Sequence, residues 1–279
     1  MLYKNIERIL EEKWEQDLMY LQYPLLAQTD LVKHGFSTRI GGVSKGHLGT
    51  MNLSFTRGDE EESVKENYRR MAKALDVSYD SFVFSQQTHT TNVRKVTEED
   101  RGKGLINPLD YTDVDGLITN VSGLCLSTFY ADCVPLYFVD PVKKAIGLSH
   151  SGWRGTVGKI GQVTIQKMTE EYGTNPADVI AAIGPSICQA CYEVSEDVIE
   201  QFQAAFAKEH WEKLYYKKEN GKYQLDLWKA NEIVLLEAGV LKEHLAVTNV
   251  CTCCNADVLF SHRASGGKRG NLAAFLALK

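Results

Sequence analysis

No run in this chain approaches the length of uncharged apolar sequence needed to span a bilayer, so a membrane-spanning segment is not expected. The opening residues Met1-Leu2-Tyr3-Lys4-Asn5-Ile6-Glu7-Arg8 carry charges among their apolar positions and lack a secretory core, which predicts a cytoplasmic protein. There is no excess of positive charge: the formal net charge is −5, which gives no global attraction to nucleic acid or to anionic membrane. Any anionic substrate must then be held by a local group of arginines or lysines. A phosphate-binding G-x-x-x-x-G-K-[ST] loop is missing, as are linkers, repeats and low-complexity tracts. The 279 residues, 44% apolar and 24% charged, are therefore expected to form one mixed α/β domain (1–279) of soluble-enzyme composition.

Residues 1–24 form a charged amphipathic opening, expected as an irregular helix that stops before Pro24. A strand around His34 then runs into the glycine-rich loop Arg39-Ile-Gly-Gly-Val43. Val64, Tyr68, Met71 and Leu75 recur at helical spacing within a helix predicted over Asp59–Leu75. Short strands are predicted at 82–84 and 92–96, followed by a polar loop over 98–113 and a strand-rich stretch from Asp115 to Leu148. One helix is expected over 155–172, a strand at 179–183, helices at 196–208 and 227–238, and a strand at 245–250. The tail from Leu259 reads as a strand, a basic glycine-rich turn and a final strand.

Three residues stand at or just beyond the ends of apolar, strand-like runs: His89, Cys133 and His150. Two imidazoles and a thiolate suit zinc or copper, and three protein donors leave a coordination position open, as catalytic zinc requires. Competing readings are a core cysteine beside hydrogen-bonded histidines, or a nucleophilic Cys133 with His89 or His150 as its base. Asp132 could orient a histidine or cap the turn before Pro135, whereas Asp115 reads as a turn residue. Arg39 and Arg154 flank glycine turns, and Arg263 and Arg269 lie in the basic C-terminal turn; guanidinium forks suit phosphate or carboxylate. Trp153-Arg-Gly-Thr156 is expected to precede a helix and present backbone amides to an anion.

Seven cysteines in an intracellular chain are better read as thiols or metal ligands than as a disulfide framework. The pairs Cys188/Cys191 and Cys251/Cys254 have the C-x-x-C spacing of a structural zinc site and of a redox pair. About sixty residues separate them, far more than in a compact zinc ribbon, so buried free thiols compete with both readings.

Four blocks in order, His34-Gly-Phe-Ser-Thr-Arg-Ile-Gly-Gly-Val-Ser44, Gln87-Thr-His89, Ala131-Asp-Cys-Val-Pro135 and His150-Ser-Gly-Trp-Arg-Gly155, resemble the laccase-domain (polyphenol-oxidase-like) proteins. Ile183-Gly-Pro-Ser-Ile187, Tyr192-Glu-Val194 and Phe260-Ser-His-Arg263 extend the likeness over about 34–275. The resemblance implies an α/β (α+β) domain of layered mixed β-sheets flanked by helices, similar in its core to a bacterial toxin deamidase. It implies a metal, zinc or alternatively copper, on His89, Cys133 and His150, which are also the expected catalytic residues. Purine nucleoside phosphorylase activity on adenosine, inosine, guanosine and methylthioadenosine would be accompanied by adenosine deamination. Substrates would be purine nucleosides and phosphate, the latter placed by Arg39, Arg154 or Arg269; no nucleic acid and no membrane is expected as a partner. The C-x-x-C pairs lie outside the family's core motif. A laccase in the strict sense is disfavoured, because trinuclear copper needs many histidines in His-x-His pairs and this chain has seven histidines and no such pair. A cysteine hydrolase or amidase acting on peptidoglycan precursors, and a non-enzymatic metal-binding protein, are the alternatives.

Overall fold

Between Asp115 and Ser151 the chain alternates short apolar runs with tight turns. The computed structural model, which describes residues 1–7 and 9–279, makes those runs the strands Gly116–Thr119, Cys125–Tyr130, Val134–Asp140 and Ala145–Ser151. They read as continuous apolar runs because both faces are covered; every residue of Val134–Asp140 and of Ala145–Ser151 is buried. These two strands form an antiparallel hairpin that pairs Pro135 with His150. Asp140 makes its turn, the carboxylate accepting the amides of Val142 and Lys143.

Two six-stranded sheets result. One runs, in spatial order, Glu11–Glu15, Leu18–Gln22, Val32–Ser37, Leu272–Leu278, Cys125–Tyr130, Phe82–Phe84. The other runs Leu245–Val247, Ile180–Ile183, Val134–Asp140, Ala145–Ser151, Gly116–Thr119, Val93–Lys95. Both are mostly antiparallel, with parallel pairs only at their edges. Leu21, Phe36, Leu126 and Leu276 of the first sheet meet Leu117, Tyr137 and Leu148 of the second in one buried cluster. Helix Glu61–Leu75 covers the outer face of the first sheet through Val64, Tyr68 and Met71. Helices Ile160–Tyr172 and Leu227–Glu237 cover the second through Ile165, Met168 and Val234. Layered mixed sheets flanked by helices are thus what the chain forms, as expected. No helix among the described residues is long and apolar enough to cross a membrane.

Three expectations need correction. The opening segment is not helical: Glu11–Glu15 and Leu18–Gln22 form a hairpin turned at Gln16 (φ 57°), and its first strand alternates half-buried and exposed residues with a period of two. The predicted helix over 155–172 is two helices, Trp153–Val157 and Ile160–Tyr172, because Lys159 takes φ 56° and breaks the ladder. Leu259-Phe-Ser261 is no strand; Ser261 instead caps the helical turn His262–Ser265, and the only strand of the tail is Leu272–Leu278.

Candidate functional site

Two chain segments cross from the first sheet to the second, and the site forms where they meet. One crossing lies between Phe82–Phe84 and Val93–Lys95 and carries His89; the other lies between Cys125–Tyr130 and Val134–Asp140 and carries Cys133. His150 is the penultimate residue of Ala145–Ser151, on the strand beside the one that Cys133 introduces. Both crossings bend through backbone that side chains seldom adopt, His89 at φ 68° and Asp132 at φ 90°.

Asp115 holds the first crossing in place. Its carboxylate accepts the amides of Thr88, His89 and Thr90 and the hydroxyl of Thr90, all at 3.0–3.1 Å. It also accepts Nδ1 of His150 at 2.8 Å, while its own carbonyl takes the His150 amide. Asp115 is completely buried. Burial alone would raise its pKa, but His150 and the converging amides hold it below the ordinary carboxylate value. A carboxylate so placed fixes the histidine tautomer and leaves Nε2 facing the centre. The role entertained for Asp132 therefore belongs to Asp115, the residue read as a turn. Asp132 instead ties loops together: it accepts the Thr252 hydroxyl at 2.6 Å and the Arg263 amide at 2.7 Å.

Cys133 Sγ lies 4.0 Å from His89 Nε2, the two imidazoles are edge-on with centroids 5.0 Å apart, and all three donor atoms fall within 4.8 Å of one another. Burial would raise the Cys133 thiol, but His150 and His89 outweigh it and bring the pKa down to about 6. Burial would lower His150, yet Cys133 and Asp115 push it up to about 9. A Cβ at Gly152 would stand 2.8 Å from His89 Cδ2 and 3.3 Å from Cys133 Sγ, so only glycine keeps the space between the donors clear. A mixed nitrogen–sulfur set at these separations fits a tetrahedral zinc or copper ion with one position left open.

The donors line a cleft of about 380 Å³ shared with the aromatic rings of Phe55, Phe84 and Phe129 and the polar groups of Arg57, Arg269 and Asn271. Of the three arginines proposed for phosphate, only Arg269 lies there. Its Nη1 donates to Asn271 and to the Gly270 carbonyl, while its Nε is buried without a partner. Burial, with Arg57 nearby, lowers its pKa to about 10. Arg39 is placed outside this cleft, donating to the carbonyls of Gly49 and Ala256 and lying over the ring of Phe260. Arg154 is exposed and stacks 4.3 Å from the Trp153 ring, within a short helix rather than before one. Arg263 braces the loops, donating to the carbonyls of Cys191 and Glu193. Arg57, which adjoins Gly58 as Arg39 and Arg154 adjoin their glycine turns, lines the cleft as well. Gln87, which pins both the carbonyl and the amide of Phe129, had no such signal.

The layered fold places the chain in a known family of proteins. Residues 33–279 match the family described as multi-copper polyphenol oxidoreductase laccase, and the chain belongs to that family. It is 37% identical over 246 residues to purine nucleoside phosphorylase YlmD of Bacillus subtilis, covering 88% of each chain. It is 35% identical over 259 residues to a purine nucleoside phosphorylase of Bacteroides thetaiotaomicron, covering 92% of this chain and 95% of that one. Among solved structures, the hypothetical protein YfiH of Bacillus licheniformis superposes with a TM-score of 0.90 at 33% identity, covering 96% of this chain and 99% of that one.

Proposed function

We propose that the protein is a metal-dependent purine nucleoside phosphorylase that also deaminates adenosine, with His89, Cys133 and His150 as its zinc ligands and catalytic centre. The observation that carries this reading is the Asp115-anchored donor set opening on a cleft that joins aromatic rings to a half-satisfied arginine. The relatives named purine nucleoside phosphorylase support the phosphorolysis in this reading.

The chemistry a bound zinc supplies here is Lewis acidity. Phe55, Phe84 and Phe129 offer apolar ring surface for a flat purine, such as that of adenosine, inosine, guanosine or methylthioadenosine. Arg269, with its free Nε, and the neighbouring Arg57 offer charged donors for phosphate. Asp115 keeps the Nδ1 proton of His150 directed away from the centre, so that Nε2 stays available. Gln87 holds Phe129 by its backbone and so keeps the wall of the cleft rigid. Arg39 and Arg154 do not line this cleft, so Arg269 and Arg57 are the arginines assigned to phosphate. Copper would suit the same donors, but without His-x-His pairs the chain offers no trinuclear cluster for polyphenol oxidation.

Incubation with adenosine, with and without phosphate, followed by chromatography and elemental analysis tests the reading. Adenine and ribose 1-phosphate should form only with phosphate, and inosine in both samples. A protein carrying stoichiometric zinc but yielding no product would overturn it. A second reading has one observation in its favour: the lowered Cys133 thiol beside a raised His150 resembles the ion pair of a cysteine hydrolase acting on amides such as those of peptidoglycan precursors. That enzyme would be inactivated by thiol alkylation and indifferent to chelators.

A further inference from the structure

The thiols of Cys188, Cys191, Cys251 and Cys254 converge at a place remote in sequence from the His–Cys–His centre, with all four sulfurs within 4.8 Å of one another. From this convergence we propose a second metal site: a closed, structural zinc bound by these four cysteines, which clamps the loops that hold the Cys133 turn.

The sulfur geometry suits it. With zinc–sulfur bonds of about 2.3 Å, a regular tetrahedron has sulfur–sulfur edges of about 3.8 Å. Cys191 and Cys254 Sγ are 3.5 Å apart, close to that edge and far beyond the roughly 2.05 Å of a disulfide. Each C-x-x-C pair sits on a tight turn: the Cys191 and Tyr192 amides donate to the Cys188 carbonyl, and the Asn255 amide to that of Cys251. Backbone donors already point at sulfur, with the amides of Cys188 and Cys254 at 3.2 and 3.4 Å from Cys251 Sγ. Four thiolates around a divalent ion leave a net negative charge, and Lys4 supplies a counter-charge with Nζ 3.1 Å from Cys254 Sγ. With four protein donors no position is open for substrate, so the role is structural.

The position explains what such a zinc would do. Ser186 and Cys251 form an isolated bridge, and the Thr252 amide donates to the Ser186 carbonyl, so the two cysteine loops lie side by side. From them, the Ile187 amide reaches the Asp132 carbonyl and the Thr252 hydroxyl reaches the Asp132 carboxylate. Asp132 directly precedes Cys133. A metal joining the loops thereby fixes the backbone that presents Cys133, although it touches no substrate.

The test is metal content with cobalt substitution, read on the purified full-length chain. Cys133→Ser, which breaks the other centre, should retain about one equivalent of zinc per chain. When loaded with Co²⁺, that variant should show the visible bands and strong sulfur-to-cobalt charge transfer of a tetrathiolate site. Adding Cys191→Ser or Cys254→Ser to the Cys133→Ser protein should in each case abolish those bands and lower Tm. Should the serine variants fail to fold, the spectrum of Cys133→Ser alone still decides. Metal-free Cys133→Ser protein, cobalt spectra without thiolate charge transfer, or a Cys188–Cys191 or Cys251–Cys254 disulfide in intact, freshly purified protein would each overturn the proposal. None of these outcomes depends on whether the chain phosphorolyses nucleosides.

Discussion

The two thiol-containing clusters of this molecule differ in composition, enclosure and in how they are written into the chain. At the His89–Cys133–His150 centre three donors of two kinds, 44 and 17 positions apart, arrive from two crossings between sheets and from the end of the strand Ala145–Ser151, and face a cleft. At the second cluster four like donors arrive as two C-x-x-C turns, and none of the four lines that cleft. On the readings proposed above, an open set with a rigid carboxylate behind it suits exchange of substrate, and a closed set of thiols tied into loops suits holding a structural ion. The largest effect that would break this contrast comes from removing donors. His89→Ala, Cys133→Ala and His150→Ala should each abolish phosphorolysis and deamination, beyond the roughly 10–100-fold typical of losing an outer partner, without loss of fold by circular dichroism. Full turnover in all three would sink the assignment of the centre.

Next in size is the carboxylate that the open centre has behind it. Asp115→Asn keeps the shape but gives up the charge and the choice of His150 tautomer. Metal affinity or activity should fall by about 10–100-fold. Part of that loss should appear as disorder around Thr88–Thr90, whose amides Asp115 receives. A variant with unchanged kcat/KM and metal content would show that Asp115 is only a turn residue after all.

The donors of the open centre were legible because strand ends and unusual residue types coincide at them. Asp115 was not: an aspartate before a strand looks like any turn, and only the fold shows three amides and an imidazole converging on it. The arginines show the same limit. Glycine neighbours mark Arg39, Arg154 and Arg57 alike, but which of them faces the cleft depends on pairings across more than two hundred residues, such as Asn271 with Asn52. The layered α/β architecture was readable because doubly covered strands leave unbroken apolar runs. The opening hairpin was not, since its outer strand is half-exposed and charged, and period two over five residues is easily taken for an irregular helix.

Protonation gives a further handle on the open centre. In the metal-free protein Cys133 titrates at about 6 and His150 at about 9. Between those values the thiol is already ionised while His150 still carries the proton that a metal must displace from Nε2. Metal binding to the open centre near neutral pH should therefore release a proton from His150, and affinity should rise with pH until about 9, then level off. Calorimetry of zinc binding to a Cys191→Ser/Cys254→Ser variant, in buffers of different ionisation enthalpy, measures the release. No proton release between pH 7 and 8 would contradict the imidazolium–thiolate pair.

The smallest effects concern the arginines around the open centre, and there the expectation is a split between binding and stability. Arg269 brings to the cleft a guanidinium whose Nε lacks a partner, so truncation should act on phosphate more than on the purine. A charged hydrogen bond contributes about 1.5–3 kcal/mol, which corresponds to a rise of about tenfold or more in the KM for phosphate of Arg269→Ala. Arg154→Ala removes an exposed side chain lying on Trp153, and should leave both KM values and Tm nearly unchanged. Arg39→Ala should do the opposite of Arg269→Ala, lowering Tm through the lost bonds to Gly49 and Ala256 with phosphate KM unaltered. Initial rates at varied phosphate, set beside thermal melts of the same three proteins, separate these outcomes. If Arg39→Ala raised the phosphate KM while Arg269→Ala left it alone, the anion would be bound outside the cleft and the geometry of the open centre would have to be redrawn around it.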